Sequence, residues 1–447
     1  MSKFALLFLM VFFGGIIAAL VYSGTAAFVL YQLVYFLNPD DRWWSAVIPG
    51  LRYSMVTVLL MMLVLALKYG NYSSLSPWTR MPVFKYMFAL VILYYVAYLF
   101  AVNLPLHKGF AFEFTKLVII TMMAYKLIHS ERALTACLWA YVTGATYIGY
   151  LAWTTGRNSQ GRVEGIGMVD APDANHTAAA LVPAAVILMY YAWLGNMKVR
   201  LLAVFCGAFI ANGLVLINSR GAFLGVLVSL SIFLFYMLFS RYQRKGQRAA
   251  AILMIMVGLV GAVWVTDDLF WERMQTIQSE DQNVSGASRV AFWYATFDML
   301  DDHPMGVGIG GYEALAPVYM DDQTRGGVEH RAVHSMWFQG LAELGWAGFI
   351  VFLLLLFSLY RISRQTKRYL LEQENTDAYF KMLALECALI GFLIAGSFID
   401  RFRAEVLYWM ILFLAAAVNV YYLQAKAGKD NGTTGKSLKS ANGRVDS

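Results

Sequence analysis

The sequence predicts an all-α polytopic integral membrane protein with about 12 or 13 transmembrane helices and one long periplasmic loop containing amphipathic helices. Three observations predict it. The 447 residues are 60% hydrophobic and 14% charged, where soluble domains carry about 25% charge. Apolar runs of about 18 residues recur, each long enough to cross a bilayer and too uniformly apolar for the alternation of a β-barrel. The basic residues gather in short segments between those runs, so the net charge of +7 sets topology and does not mark nucleic-acid binding.

The runs fall near 4–21, 23–37, 52–69, 85–102, 111–128, 133–153, 177–194, 200–217, 221–239, 248–265, 336–360, 381–398 and 404–423. The first has no convincing cleavage site after it and is read as a retained span. The first two are one tilted helix or a pair broken around Ser23-Gly24. Clusters at Arg241 to Arg248, Arg361 to Arg368 and Lys426 to Arg444 are expected on the cytoplasmic side, with Lys68, Arg80, Lys85 and His129 to Arg132. An odd span count puts the N-terminus outside and an even count puts it inside. Cys137, Cys206 and Cys387 lie within apolar runs and read as buried small hydrophobes. The expected regions are an N-terminal membrane region (1–110), central helices (111–266), a periplasmic loop (267–335), C-terminal helices (336–424) and a disordered cytoplasmic tail (425–447).

The loop from Asp267 to His334, about 68 residues, is too long to be idle and must fold on the bundle. Outside the cytoplasm an enzyme has no nucleotide sugar or ATP, so cationic groups there point to an anionic, lipid-borne substrate. Val290, Trp293, Phe297 and Leu300 share one face of an expected surface helix, capped by Ser285 or Ser288 and ended by Asp301-Asp302-His303-Pro304. Arg289 in its first turn suits a phosphate; a bare headgroup contact is the plainer reading. Gly306-Val307-Gly308-Ile309-Gly310-Gly311 lacks a surrounding βαβ unit, so its glycines are expected to allow tight turns. His334, with His330 and Arg331 nearby, stands at the outer end of a span, where a neutral imidazole can act as a base or as a structural hydrogen-bonding group. Arg220 interrupts the mostly apolar run 199–239 at a turn with almost no loop, and a guanidinium so near hydrocarbon is functional or a snorkelling turn residue. Asp400 with Arg401 or Arg403 is expected to form an ion pair framing the site. Acidic pairs such as Asp301-Asp302 lack histidine partners at ligand spacing, and no metal is expected.

Together these pieces resemble the O-antigen ligase and O-antigen polymerase superfamily of bacterial envelope glycan enzymes, best over residues 160–360. The resemblance rests on Arg162-Val163-Glu164-Gly165 followed by Asn175, Asn218-Ser219-Arg220-Gly221-Ala222, Ser288-Arg289 with Trp293, His303-Pro304-Met305-Gly306-Val307-Gly308, and His334-Ser335 leading to Glu343-Leu344-Gly345. The N-terminal Asn38-Pro39 and Arg42-Trp43-Trp44 look like ligase-like members tied to exopolysaccharide or exosortase systems. Where the family has Asn after the histidine, this chain has Ser335.

The resemblance implies a GT-C-like fold in the bacterial inner membrane and glycosyl transfer at its periplasmic face. The donor would be a glycan on undecaprenyl diphosphate; the acceptor would be a glycan, lipid A–core or a protein. It implies membrane lipids as partners and no cofactor, and leaves ligase and polymerase open. Within it, His334 is expected as base, Arg220 and Arg289 as the diphosphate clamp, Arg331 or Arg325 as a third cation, and Arg162 with Asn175 as glycan contacts. A transporter or flippase of a lipid-linked anionic glycan would use the same arginines but needs polar groups deep in the spans, for which Glu386 is the candidate. In a structural or assembly subunit the set would be incidental.

Overall fold

The computed structural model describes residues 2–171, 173–275 and 287–427; of Ala287 and Ser288 only the backbone is described. The expected helix cap at Ser285 or Ser288 and the tail beyond Ala427 lie outside the described residues. Eighteen α-helices and one isolated β-bridge, Met168 to Ala171, are found among them. They are α1 (Lys3–Val21), α2 (Thr25–Leu37), α3 (Tyr53–Leu67), α4 (Tyr69–Leu75), α5 (Val83–Val96), α6 (Leu104–Leu127), α7 (Glu131–Thr155), α8 (Ala174–Leu194) and α9 (Met197–Ile217). Then follow α10 (Arg220–Phe239), α11 (Gln247–Val265), α12 (Asp268–Gln275), α13 (Ala287–Asp302), α14 (Gly311–Tyr319), α15 (Asp322–Arg325), α16 (Met336–Glu372), α17 (Thr376–Gly396) and α18 (Glu405–Val418).

Each of the thirteen expected apolar runs is occupied by a helix. Among the described residues, eight helices are both long and apolar enough to cross a membrane, or nine if a bent pair counts as one span. The others fall short for visible reasons. At 13 residues, α2 reaches only about 20 Å, and α6 carries His107, Lys108, Glu113, Lys116 and Lys126. The chain does break at Ser23-Gly24.

Helices α8, α9, α10 and α17 pack side by side, with α7 against α9. Without a hydrophobic drive between helices in lipid, close packing must hold them. Gly225 of α10 and Gly391 of α17 serve this: a Cβ on Gly225 would sit 2.5 Å from the Gly391 carbonyl. Helix α18 lies at the centre and is buried along its length.

The segment after α11 folds back on the bundle, as its length requires. Phe292, Ala295 and Met299 of α13 join Tyr312 and Ala316 of α14, Val333 just before α16, and Ala342 of α16 in one buried cluster. The expected apolar face of α13 is corrected here. Phe292, Ala295, Thr296 and Met299 face inward; of the expected face Leu300 is buried, while Val290 is 44% and Phe297 39% exposed. The helix is apolar on two sides, and Trp293 and Phe297 instead meet Phe338 of α16, at ring separations of 5.3 and 5.7 Å.

Candidate active site

The site lies at one end of the bundle, built by segments joined to one another. The turn between α9 and α10 is closed by Asn218 in the left-handed region (φ 57°), whose side chain donates to the Leu269 carbonyl of α12 at 3.3 Å. The backbone N–H of Val163 donates to the Leu216 carbonyl at 3.0 Å. Arg157 pairs with Asp267. These bonds bind the 156–171 segment, the α9–α10 turn and α12 together, with Arg220 at the start of α10 near Arg273 of α12.

The helix that follows His334 is broken and held by a contact of two glycines. Inside α16 Gly345 takes φ 60°, which breaks the helix, and the loop after α13 docks into the break. Val307 N–H donates to the Ala342 carbonyl at 2.8 Å, and Gly308 N–H to the Glu343 carbonyl at 3.1 Å. A Cβ on Gly306 (φ 91°) would lie 2.5 Å from Gly345 N, and one on Gly345 2.4 Å from the Pro304 carbonyl. Only residues without side chains allow this approach. It is the tight turning expected of the glycine-rich stretch. His334 itself has φ 52°, a strained position for a non-glycine residue and one that turns its ring toward Phe292, 6.2 Å away.

Four guanidiniums gather there. Arg289 feels the charges of Arg220, Arg331 and Arg273. Burial and these like charges hold it below the usual arginine range. Arg273 is lowered by burial, then by Arg162 and Arg220. Arg331 lies over the Phe292 ring at 5.2 Å, and its buried Nε has no hydrogen-bond partner among the described residues. Among those residues no carboxylate forms an ion pair with Arg289 or Arg331. Burial, then Arg289 and Arg331, push the His334 imidazole down to about 4. At neutral pH the ring is therefore uncharged and able to accept a proton.

Asp400 corrects an expectation. Arg401 pairs instead with Asp170 at 3.1 Å, and Arg403 pairs with Glu343. Asp400 accepts the Ser335 N–H at 3.2 Å and stands 3.7 Å from His334 Nδ1, beyond hydrogen-bond reach. Burial, then Glu313, push its carboxyl up to about 7. The Asp170 carboxylate also accepts from Tyr35 and from the Glu405 N–H at 2.9 Å, locking the 170s loop to α2 and α18.

Of the residues singled out in the sequence, Arg220, Arg289, Arg331 and His334 come together. Arg162 and Asn175 meet each other, Nη2 to Oδ1 at 3.2 Å, at the edge where Arg162 reaches Arg273. Arg325 stands apart: it donates to the carbonyls of Met320, Val328 and Glu329 and pairs with Asp322 at 3.5 Å, holding its own turn. Glu386 pairs with Lys367 and accepts from Ser363 at 2.6 Å. Arg273 was missed. It follows Phe270 by three positions, and Phe270 is 2% exposed against Phe223 of α10, so the helical spacing that buries one points the other inward.

The arrangement is a cradle of four guanidiniums with an uncharged imidazole at its rim. Residues 202–353 match the family described as O-antigen ligase. That stretch holds Arg220, Arg273, Arg289, Arg331 and His334 and falls within the span on which the resemblance rested. No curated protein matches the chain.

Proposed function

From the premise that this multi-pass membrane chain carries an O-antigen ligase domain, we propose that it transfers a glycan from undecaprenyl diphosphate to an acceptor hydroxyl at the periplasmic face of the inner membrane. The observation that carries this reading is the convergence of Arg220, Arg273, Arg289 and Arg331 beside an uncharged His334. The positive-inside pattern of the basic loops supports the periplasmic placement.

The acceptor oxygen attacks the anomeric carbon, and the bond from that carbon to the diphosphate oxygen breaks. The electron pair leaves on the diphosphate, where planar guanidiniums meet the phosphate oxygens in pairs and stabilise the growing charge. The acceptor's proton passes to His334, a step of general-base catalysis that contributes about 10²–10⁴-fold. In the empty cradle His334 is a weak base, because Arg289 and Arg331 oppose its protonation. A bound diphosphate cancels much of that field, so the donor itself raises the basicity of the imidazole. Asp400, beside the ring, stabilises the imidazolium once formed. Arg162 and Asn175, bonded to each other at the rim, would touch the glycan.

The test uses purified protein in sealed proteoliposomes with a polyprenyl-diphosphate oligosaccharide and candidate acceptors: a glycan, lipid A–core and a peptide. Glycan joined to one acceptor with release of polyprenyl diphosphate is expected. Passage of the donor across the membrane with no new covalent bond would establish transport instead and overturn the reading.

A further inference from the structure

We propose a second anion site, at the opposite end of the bundle, that takes the phosphate of an anionic lipid headgroup. There a cavity of about 430 Å³ opens where the break between α1 and α2 meets the bend between α3 and α4. Lys68, at the bend, and His129, in the link between α6 and α7, supply its basic groups. Ser23, Asn71, Ser74 and Tyr22 supply hydroxyls and an amide. No carboxylate lines it.

Two further observations fit a phosphate. Behind α4 lies Lys126, 1% exposed, which no carboxylate meets among the described residues. It donates to Ser73 Oγ at 3.0 Å and to the Ser76 carbonyl at 3.2 Å, and lies 4.1 Å from the Trp78 ring centre. A buried ammonium held only by neutral groups projects its field outward onto the neighbouring cavity wall. The ring of His129 is fixed too: its Nδ1 meets the Leu127 carbonyl at 3.1 Å and so carries the proton, leaving Nε2 to face elsewhere.

The geometry places the cavity at headgroup depth. Helix α3 meets the segment Tyr69–Arg80, which begins with α4, at 88°, so with α3 along the membrane normal that segment lies in the membrane plane. Tyr22, 83% exposed, and Tyr69, 47% exposed, are residues of the kind that settle at the water interface. The site is separate from the guanidinium cradle. Helix α2 runs from the cavity's edge to Asn38, which bonds the Gly167 carbonyl beside the cradle, and its 13 residues span about 20 Å. By the charge pattern this end faces the cytoplasm, where anionic lipids favour basic segments.

The test is native mass spectrometry of the full-length protein titrated with phosphatidylglycerol or phosphatidylcholine, with inorganic phosphate as competitor. Wild type is expected to keep one phosphatidylglycerol in preference to phosphatidylcholine. Lys68→Glu should weaken that binding about tenfold or more, and Lys68→Arg should retain it. An unchanged melting temperature in Lys68→Glu, or the same loss in Lys68→Gln, separates lost binding from misfolding. Phosphate that displaces the lipid in a Lys68-dependent way would support the same chemistry with a soluble source. Equal retention of the two lipids, or wild-type binding by Lys68→Glu, overturns the proposal.

Discussion

Replacing Arg289 by Gln separates catalysis from stability in this site. Arg289 sits among three other guanidiniums and forms no ion pair with a carboxylate among the described residues. Two like charges about 8 Å apart repel by about 2 kcal/mol at an effective dielectric of about 20, and solvent lowers this for a partly exposed group. Removing the charge therefore relieves burial and the repulsion of three guanidiniums, set against one attraction, to Asp400. The melting temperature should hold or rise. The same change removes a charged donor from the diphosphate. A hydrogen bond to a charged group contributes about 1.5–3 kcal/mol, and each 1.4 kcal/mol is a factor of ten, so kcat/KM should fall about 10- to 150-fold. The assay is initial-rate transfer in nanodiscs paired with thermal unfolding of the same preparation. Activity within threefold of wild type would refute the clamp. A loss of activity that only tracks a falling melting temperature would show that Arg289 is structural.

Four further outcomes follow from the same geometry. His334→Ala should lose about 10²–10⁴-fold in transfer while still binding the donor, measured by single-turnover kinetics and donor binding. Isotope-labelled histidine should titrate near pH 4 for His334 in the empty protein and at higher pH once undecaprenyl diphosphate is bound; no upward move would remove the donor-assisted base. In Asp400, a carboxyl pushed up to about 7 is ionised above that pH, so the rate should rise with pH through this range, and Asp400→Asn should flatten the rise. Gly345→Ala should destabilise the α16 break, since its Cβ would lie 2.4 Å from the Pro304 carbonyl at φ 60°; an unchanged melting temperature and rate would show that the docked loop does not position His334.

The helices were legible because apolar runs need no tertiary information: composition alone puts them in lipid, where the backbone must bond within each segment. The span count was less so, because polar residues in α6 and the shortness of α2 matter only once neighbours are known. Arg220 and His334 stood out by cost, a charge at a bare turn and an imidazole at a span's mouth. Arg401 and Arg403 did not reveal their partners, Asp170 and Glu343, because those contacts link segments 231 and 60 residues apart. The inward face of α13 was misassigned because a helix apolar on two sides offers two equal answers until one meets the bundle. Arg273 was hidden in a short helix whose single buried aromatic was the only clue.

The glycine pair at Gly306 and Gly345 has an architectural consequence. It fastens the polypeptide immediately before α14 to the helix immediately after His334, so both ends of the intervening excursion are clamped to a common frame. Within it, the turn from Asp321 to Glu329 holds itself through Arg325 and adds nothing to the buried cluster, so a change of length there leaves the imidazole at its address. Change in that outer turn is thereby kept apart from the frame that carries His334.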